Sequence, residues 1–327
     1  MRQWGDGMIE VIGPQLEQVL DDTYPLWGEG LSRRAYGQWN LAQSKTAWGR
    51  DHLHRVGLVD GDDVVASAKR YLFDALIEGK PAKALGIGAV FTPERHRGRG
   101  LAPQLIDQML ADGEARGCTV AVLFSEIGAT YYERLGFTTM PRTLVTIDIP
   151  RTRRGAPGTM VRAVTPGDLP EIANISMTYA KDAAFALDRT AEFIEFGLTR
   201  KRLKAGLGPL GLRELEVFVA EEGYRAAAYI VVSRGPEGVV LEECGDRDPR
   251  GSRIGAMLEA LVERDPSNPN RTLRAWLPPG LHPPQVQLLE PVPATEVMML
   301  RPLSGSPLPH WPIAPLAHCQ WWQTDVF

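Results

Sequence analysis

The hydrophobic pattern is clearest between Leu85 and Phe137. The pattern predicts a strand over 85–91, whose unusually small residues weaken it but let a ligand or another backbone approach closely. The strand leads through an arginine- and glycine-rich loop into a helix that begins at Leu101. The apolar positions of this helix recur at helical spacing, at Leu105, Ile106, Met109 and Leu110. A buried strand over 119–124 and a short helix over 128–135 follow. The stretch therefore predicts a strand–loop–helix–strand unit.

The residues before this unit predict an antiparallel meander. The pattern indicates a strand, two helices and a strand–turn–strand segment, over residues 8–13, 14–25, 32–45 and 53–73. Asp60 and Gly61 supply the turn between the last two strands. We expect the first helix to end at Pro25, because proline removes a helical hydrogen bond.

The second half of the chain repeats this order of elements. A strand over 160–164, helices over 169–175 and 191–203, and a hairpin over 214–232 precede a second strand–loop–helix segment over 239–258. Strands over 272–276 and 294–300, with a helix near 285–291 between them, complete the copy. The repeat predicts an α/β fold with mixed α+β sheets, present as two tandem copies.

Composition predicts four regions. Residues 1–150 form the first domain, the Pro/Gly-rich basic segment 151–158 is a linker, and 159–302 form the second domain. Residues 303–327 are rich in proline and predict an extended arm. Because the arm ends in Trp321, Trp322 and Phe327, we expect it to pack toward the cleft rather than lie in water.

Net charge and cysteine usage restrict the partners. A net charge of -4 gives no general attraction to nucleic acid or to an acidic membrane, so neither is an expected partner. The N-terminus has no signal-peptide pattern and no apolar stretch is long enough to span a membrane, which predicts a cytoplasmic protein. Three distant cysteines and scattered histidines give no metal-ligand spacing, so we expect no metal. The sequence leaves the oligomeric state, including a homo-oligomer, open.

The loop at the start of the central helix has the chemistry of an anion site. Its residues are Arg97, Gly98, Arg99, Gly100, Leu101 and Ala102. Glycines let backbone N–H groups close on a pyrophosphate, a helix N-terminus supplies unpaired donors, and arginines add charged hydrogen bonds. The loop therefore predicts the binding of a phosphorylated carrier.

These residues resemble the Gcn5-related N-acetyltransferase (GNAT) superfamily. The resemblance rests on three segments in order: AVFTPERHRGRGLA, VLFSEIG and YYERLGF. It covers residues 8–150 and, as a degenerate copy, the second half. The variants are most similar to two-module members, the fungal lysine N6-acetyltransferases and the aminoglycoside-acetylating enhanced-intracellular-survival proteins. PERHRG carries one residue more than the common PExRG pattern, which leaves the roles of Arg95 and His96 open.

The resemblance implies an acetyltransferase that uses acetyl-coenzyme A (acetyl-CoA) as co-substrate. Residues 97–102 would bind the pyrophosphate, and the strand residues Ala89, Val90 and Phe91 would bind the pantetheine and the acyl carbonyl. Tyr132 would protonate the leaving thiolate. In the survival-type proteins the terminal carboxylate reaches the active site, which makes the Phe327 carboxylate the first candidate for the base, ahead of Glu126 and Asp74.

Other interpretations of the same residues stay open. A Gly-x-Gly after a strand also occurs in dinucleotide folds, with Glu126 near the place of a ribose-binding acid, although Pro103 replaces the third glycine. The arginines also fit a solvated or RNA-contacting turn, and Tyr132 also fits a core position beside Tyr131.

We expect an N-acetyltransferase that acts on a primary amine of a small molecule, such as a lysine-like compound or an amino sugar. Acetylation of a protein or peptide amine, and a non-catalytic sensor of acyl-CoA, are the alternatives. The second copy has Arg253 where the loop needs glycine and no match for Tyr132. One coenzyme A per chain is therefore expected.

Overall fold

The computed structural model describes residues 7–140, 142–150, 160–181, 183–236, 238–264, 271–278, 280–294, 296–304 and 319–327. The expected linker 151–158 and the prolines of the arm lie outside these ranges. The helices in chain order are α1 (Gly13–Trp27), α2 (Arg33–Gln43), α3 (Ala47–His52), α4 (Leu101–Ala115), α5 (Thr130–Glu133), α6 (Leu169–Ser176), α7 (Ala191–Leu207) and α8 (Ile254–Glu263).

The strands in chain order are β1 (Ile9–Glu10), β2 (Leu53–Asp60), β3 (Asp63–Ile77), β4 (Lys80–Phe91), β5 (Val120–Ser125), β6 (Thr138–Met140), β7 (Thr143–Asp148), β8 (Met160–Ala163), β9 (Phe185–Leu187), β10 (Glu214–Glu222), β11 (Arg225–Gly235), β12 (Gly238–Asp246), β13 (Thr272–Ala275), β14 (Gln287–Leu288), β15 (Val292–Pro293), β16 (Val297–Pro302) and β17 (Cys319–Gln320). Within the described residues no helix is long and apolar enough to cross a bilayer.

Residue contacts divide the chain into two compact units. The first comprises the described parts of Met1–Met140, Thr295–Leu316 and Phe327, and the second those of Pro141–Ala294 and Ala317–Val326. β7, which was expected to close the first domain, instead pairs with β13, β14 and β15 of the second unit. β16, expected in the second domain, pairs with β5 and β6 of the first. The units therefore follow strand pairing rather than the expected boundary at residue 150.

In the first unit the sheet order is β1-β2-β3-β4-β5-β16-β6. β2, β3 and β4 form the predicted antiparallel meander, and α4 then crosses over so that β5 runs parallel to β4. The apolar side of α4 packs on the sheet in one buried cluster that includes Leu105, Met109, Leu85 and Ile87. This crossover places the start of α4 beside the end of β4.

The two faces of this sheet differ in chemistry. Ala66 and Ala68 of β3 face the α4 cluster, so the alternate residues Ser67, Lys69 and Tyr71 lie on the opposite face. Helix α2 covers that opposite face, where the Lys69 Nζ donates to the Gln43 Oε1 at 3.2 Å. The first unit therefore has an apolar α4 face and a partly polar α2 face.

The second unit repeats this arrangement with the sheet order β14-β7-β13-β12-β11-β10-β8. β10, β11 and β12 form a meander, α8 crosses over, and β13 runs parallel to β12. The prediction of mixed sheets in a tandem fold is confirmed.

Two local predictions were wrong. Helix α1 continues past Pro25 to Trp27, because a proline one turn from the end removes only one helical hydrogen bond. Residues 287–288 form the strand β14 instead of a helix, paired with β7 at Gln287↔Asp148. A short apolar run does not distinguish these states without its pairing partner.

A buried network of ion pairs holds the C-terminal segment of the second unit in place. β17 pairs in parallel with β9, and Trp321 and Trp322 are fully buried. Arg189 forms two hydrogen bonds with the Glu243 carboxylate, at 2.7 and 2.8 Å, and its Nη2 lies 3.2 Å from the Asp325 Oδ1. Arg189 thus compensates two buried carboxylates, and the buried Arg200 also acts on Asp325.

Replacing this cation should destabilise the second unit. Arg189→Met would leave Glu243 and Asp325 buried without their counter-charge, at a cost of about 3–5 kcal/mol in the free energy of unfolding. Chemical denaturation checks this, with Arg264→Met as the control, since Arg264 pairs with Glu216 at the surface. A loss no larger than that of the control would contradict the role of the network.

Candidate active site

A gap opens in the first sheet between two parallel strands. The pairing of β4 with β5 runs from Ala84↔Val120 to Ile87↔Leu123, yet β4 continues to Phe91 and β5 to Ser125. Beyond this register, the β5-side edge of β4 has no strand partner among the described residues. Unpaired backbone groups there are available to a ligand.

A β-bulge shapes the same end of β4. Ser67 pairs with Phe91 and Lys69 with Gly88, so β4 carries one residue more than β3 between these pairs. Ala89 lies in the bulge with a φ of 48°. This left-handed conformation costs a non-glycine residue roughly 1–2 kcal/mol, and such strain concentrates at functional sites. The bulge turns the backbone of the expected cofactor residues Ala89, Val90 and Phe91, which are only partly buried.

The loop before α4 leaves its backbone donors open. Gly98 and Gly100 have φ values of 76° and 72°, a conformation that favours glycine. Gly100 is the N-cap of α4, and no side chain of the described residues caps this helix end. Leu101 anchors the first turn in the core, and Ala102 follows it. The free N–H groups and the helix dipole make this end a binding site for an anion.

The basic residues around the loop divide into two groups. Arg95 and His96 point to Asp63, at 2.9 and 2.8 Å, and Arg95 lowers the pKa of that carboxyl. The Arg97 Nε instead donates to the Thr92 carbonyl at 3.2 Å, at the base of the loop. Asp63 therefore engages both Arg95 and His96, while Arg95 also lines the adjoining cleft.

An open cleft of about 720 Å³ adjoins the loop. Its lining includes Leu26, Phe91 and Arg97, and the Phe91 ring packs edge-on against Trp27 with centroids 6.0 Å apart. The end of β4 and the anion loop thus border one continuous cleft.

Tyr132 lies on the α4 side of the sheet. Its ring belongs to the cluster formed with α4 and packs against Tyr131 and Phe137, while 8% of the residue stays exposed. No described residue hydrogen-bonds its hydroxyl. Burial, with Tyr131 and Glu126, raises the pKa of Tyr132 to about 12. The phenol therefore keeps its proton at neutral pH.

Glu126 is exposed directly after β5. Its charge acts on Tyr132, whose pKa it helps to raise. The carboxylate therefore helps to keep the phenol protonated.

Phe327 lies on the opposite face of the same sheet. Its ring packs against Tyr71, Phe73 and Phe124, with centroids 4.5, 5.3 and 5.6 Å apart. A Cβ on Gly86 or Gly88 would lie only 2.9 or 3.0 Å from this ring. The absence of side chains at Gly86 and Gly88 of β4 therefore leaves room for the Phe327 ring.

Asp74 lies outside this arrangement. It pairs with Lys83, whereas Phe91 pairs with Ser67, seven residues back along β3. At about 3.3 Å per residue, Asp74 lies roughly 20 Å along the strand from the end of β4. This distance makes it a poor candidate for the base.

In the loop before α8 of the second unit, the backbone donors are occupied by the carboxylate of Asp246. The fully buried Asp246 accepts hydrogen bonds from the backbone N–H of Arg253 at 2.7 Å and of Asp248 at 2.9 Å. The Arg253 guanidinium also contacts it at 2.6 Å. A negative charge on the donors before α8 opposes the binding of a pyrophosphate there.

Part of the first unit matches a known protein family. Residues 24–140 match the family model described as an acetyltransferase (GNAT) domain. The chain carries a GNAT domain. The match confirms the predicted GNAT resemblance for these residues, and the enzyme class that this domain supports is an acyltransferase. No curated protein sequence matches it.

Solved structures share the fold across most of the chain. A GCN5-related N-acetyltransferase from Kribbella flavida has 20% identity and a TM-score of 0.64, and the match covers 90% of this chain and 71% of that one. A conserved protein from Enterococcus faecalis, described as a probable N-acyltransferase, has 13% identity and a TM-score of 0.65, and the match covers 90% of this chain and 72% of that one. Eis1 from Mycobacterium abscessus has 13% identity and a TM-score of 0.56, and the match covers 91% of this chain and 74% of that one.

The GNAT domain holds every predicted site residue of the donor side, and Phe327 belongs to the same contact-defined unit. Two features were missed. The bulge at Ala89 has no sequence signal, because alanine rarely adopts a positive φ. Asp246 was also missed, although an acid immediately before the loop of the second unit was a readable signal.

The open loop predicts a specific effect on coenzyme A binding. Gly100→Ala puts a side chain on the donors and strains the turn, so we expect the Kd for coenzyme A to rise at least tenfold in calorimetry. Gly117→Ala is the matched control, since Gly117 has a similar φ of 82° at the other end of α4. Equal effects of the two variants would contradict the assignment of the loop.

Proposed function

We propose that the chain transfers an acetyl group from acetyl-CoA to a primary amine of a small molecule by direct attack. The observation that carries this proposal is the juxtaposition of the open β4 edge with an uncapped helix N-terminus. A dinucleotide site would need a third glycine at Pro103 and further parallel strands, and β4 is instead preceded by an antiparallel meander.

The residues present fit acetyl-CoA as the co-substrate, which supplies an activated thioester. The N–H groups of residues 98–102 and the Arg97 guanidinium would hold the pyrophosphate. The β4 edge at Ala89, Val90 and Phe91 would align the pantetheine arm and donate to the acyl oxygen as its negative charge develops. These backbone donors are fixed before the reaction, so they need no reorganisation.

Tyr132 is the proposed general acid. Its hydroxyl is protonated at neutral pH and has no competing partner among the described residues, so it can give its proton to the departing sulfur. Its place on the α4 side of the gap suits a thiolate leaving on that side.

The proposed base lies across the sheet from this acid. In the 327-residue chain, the carboxylate of Phe327 follows a ring seated over Gly86 and Gly88. It would accept the proton that the amine loses when its nitrogen bonds to the acyl carbon. Glu126, which acts on Tyr132, is the alternative base.

Tyr132→Phe removes the proposed acid and keeps the ring. We expect kcat to fall by about 10²-fold or more, measured as thiol release with a panel of amines. Wild-type activity should not fall at alkaline pH through Tyr132 below its pKa of about 12.

Tyr131→Phe is the matched control, because the adjacent ring packs against Tyr132 at 5.0 Å. Equal activity of Tyr132→Phe and wild type would exclude the acid role. Tight coenzyme A binding without turnover of any amine would instead indicate a sensor, and turnover confined to peptides would indicate a protein acetyltransferase.

Adding one glycine after Phe327 tests the base separately. The extension preserves the aromatic ring but turns its carboxylate into a peptide group, so we expect kcat to fall by at least tenfold with coenzyme A affinity retained. A glycine added before Met1 is the control. Full activity of the C-terminally extended chain would move the base role to Glu126.

A further inference from the structure

His96, in the PERHRG segment, lies between two side chains of opposite charge. Its Nε2 is 2.8 Å from the Asp63 Oδ2, and its Nδ1 is 3.5 Å from the Arg99 Nη1. Only 11% of the His96 side chain is exposed, whereas Arg99 lies exposed in the loop between Gly98 and Gly100. A largely buried imidazole therefore connects the start of β3 with the anion loop before α4.

The chemistry of the two partners assigns the proton of this ring. An ionised carboxylate can only accept hydrogen bonds, and a guanidinium can only donate them. The hydrogen bond from Arg95 lowers the pKa of Asp63, so this carboxylate is ionised at neutral pH. Both contacts are therefore satisfied when the proton of His96 is on Nε2 and the lone pair of Nδ1 faces Arg99.

Other contacts fix the Asp63 end of this connection. The Asp63 Oδ1 accepts from Arg95 at 2.9 Å and from Gln18 of α1 at 2.6 Å, while Oδ2 accepts from His96. The backbone N–H of His96 donates to the Pro93 carbonyl at 2.8 Å, which closes a short helical turn. The ring is thus held both by its backbone and by its carboxylate partner.

An imidazole suits this position because Arg99 belongs to the loop that is expected to bind a pyrophosphate. A carboxylate in direct contact would offset the charge that attracts the ligand, as Asp246 does on the Arg253 guanidinium of the second unit. A neutral imidazole accepts the same hydrogen bond without adding negative charge. Holding a long side chain in one conformation before binding also lowers the entropy cost of binding.

We propose that His96 is a positioning residue for coenzyme A, which holds the Arg99 guanidinium at the loop before α4 for contact with the pyrophosphate. The inference rests on the proposed function and adds a residue to its donor site. His96 acts through Arg99 and need not contact the ligand. A guanidinium has five N–H donors, so a bond to His96 is compatible with bonds to phosphate oxygens.

A double-mutant cycle on the full chain separates this role from a structural one. His96→Phe keeps a planar ring and removes both ring nitrogens, so we expect the Kd for coenzyme A to rise roughly three- to tenfold in calorimetry. In an Arg99→Met background the same substitution should leave the Kd unchanged, because the side chain that His96 holds is absent. His96→Gln, whose amide can both donate and accept, should recover part of the affinity.

His54→Phe is the matched control. His54 also contacts a carboxylate, that of Glu10 at 3.0 Å, but it lies at the other end of β2 from the turn that leads to Asp63. This variant should keep the wild-type Kd. His96→Ala repeats the cycle without a ring if the phenylalanine variant does not fold.

Equal effects of the His96 substitution in both backgrounds, or no effect in either, would overturn the inference. A wild-type chain that does not bind coenzyme A would overturn it together with the donor site. Binding that follows the cycle supports the role of His96 even if no amine is acetylated, in which case the proposed transfer alone fails.

Discussion

The end of the β4–β5 pairing is the constraint on which the proposed function depends. Two parallel strands that stay paired along their whole length would satisfy each other's backbone groups and leave nothing for a ligand. Here the pairing stops at Ile87↔Leu123, and the extra residue at Ala89 shifts the register of β4 against β3 by one residue. The strain at Ala89 is held by the pairs on either side of it.

The gap also relates the two faces of the sheet. Tyr132 belongs to the apolar cluster under α4, and Phe327 sits over Gly86 and Gly88 on the α2 side. A thioester in the gap would therefore meet a proton donor on one face and a carboxylate on the other.

Local patterns predicted the strand–loop–helix–strand unit around α4 well. This unit lies within one short segment, so its signals are local in sequence. They are the glycines at 98 and 100, the helical spacing of Leu105 to Leu110 and the buried strand that follows. The pairing of strands that are distant in sequence could not be predicted from local patterns. The alternation in β7 shows which residues share a face but not that its partner is β13, and the position of Arg55 opposite Lys69 requires the register between strands. The strain at Ala89 has no sequence signal.

The most direct test of the account follows the acetyl group itself. The chain is mixed with acetyl-CoA that carries an isotopically labelled acetyl group and with a panel of small primary amines, and mass spectrometry follows both products. We expect labelled N-acetyl amine and free coenzyme A in equal amounts. Labelled acetate in place of the amide, or bound acetyl-CoA that is never consumed, would contradict it.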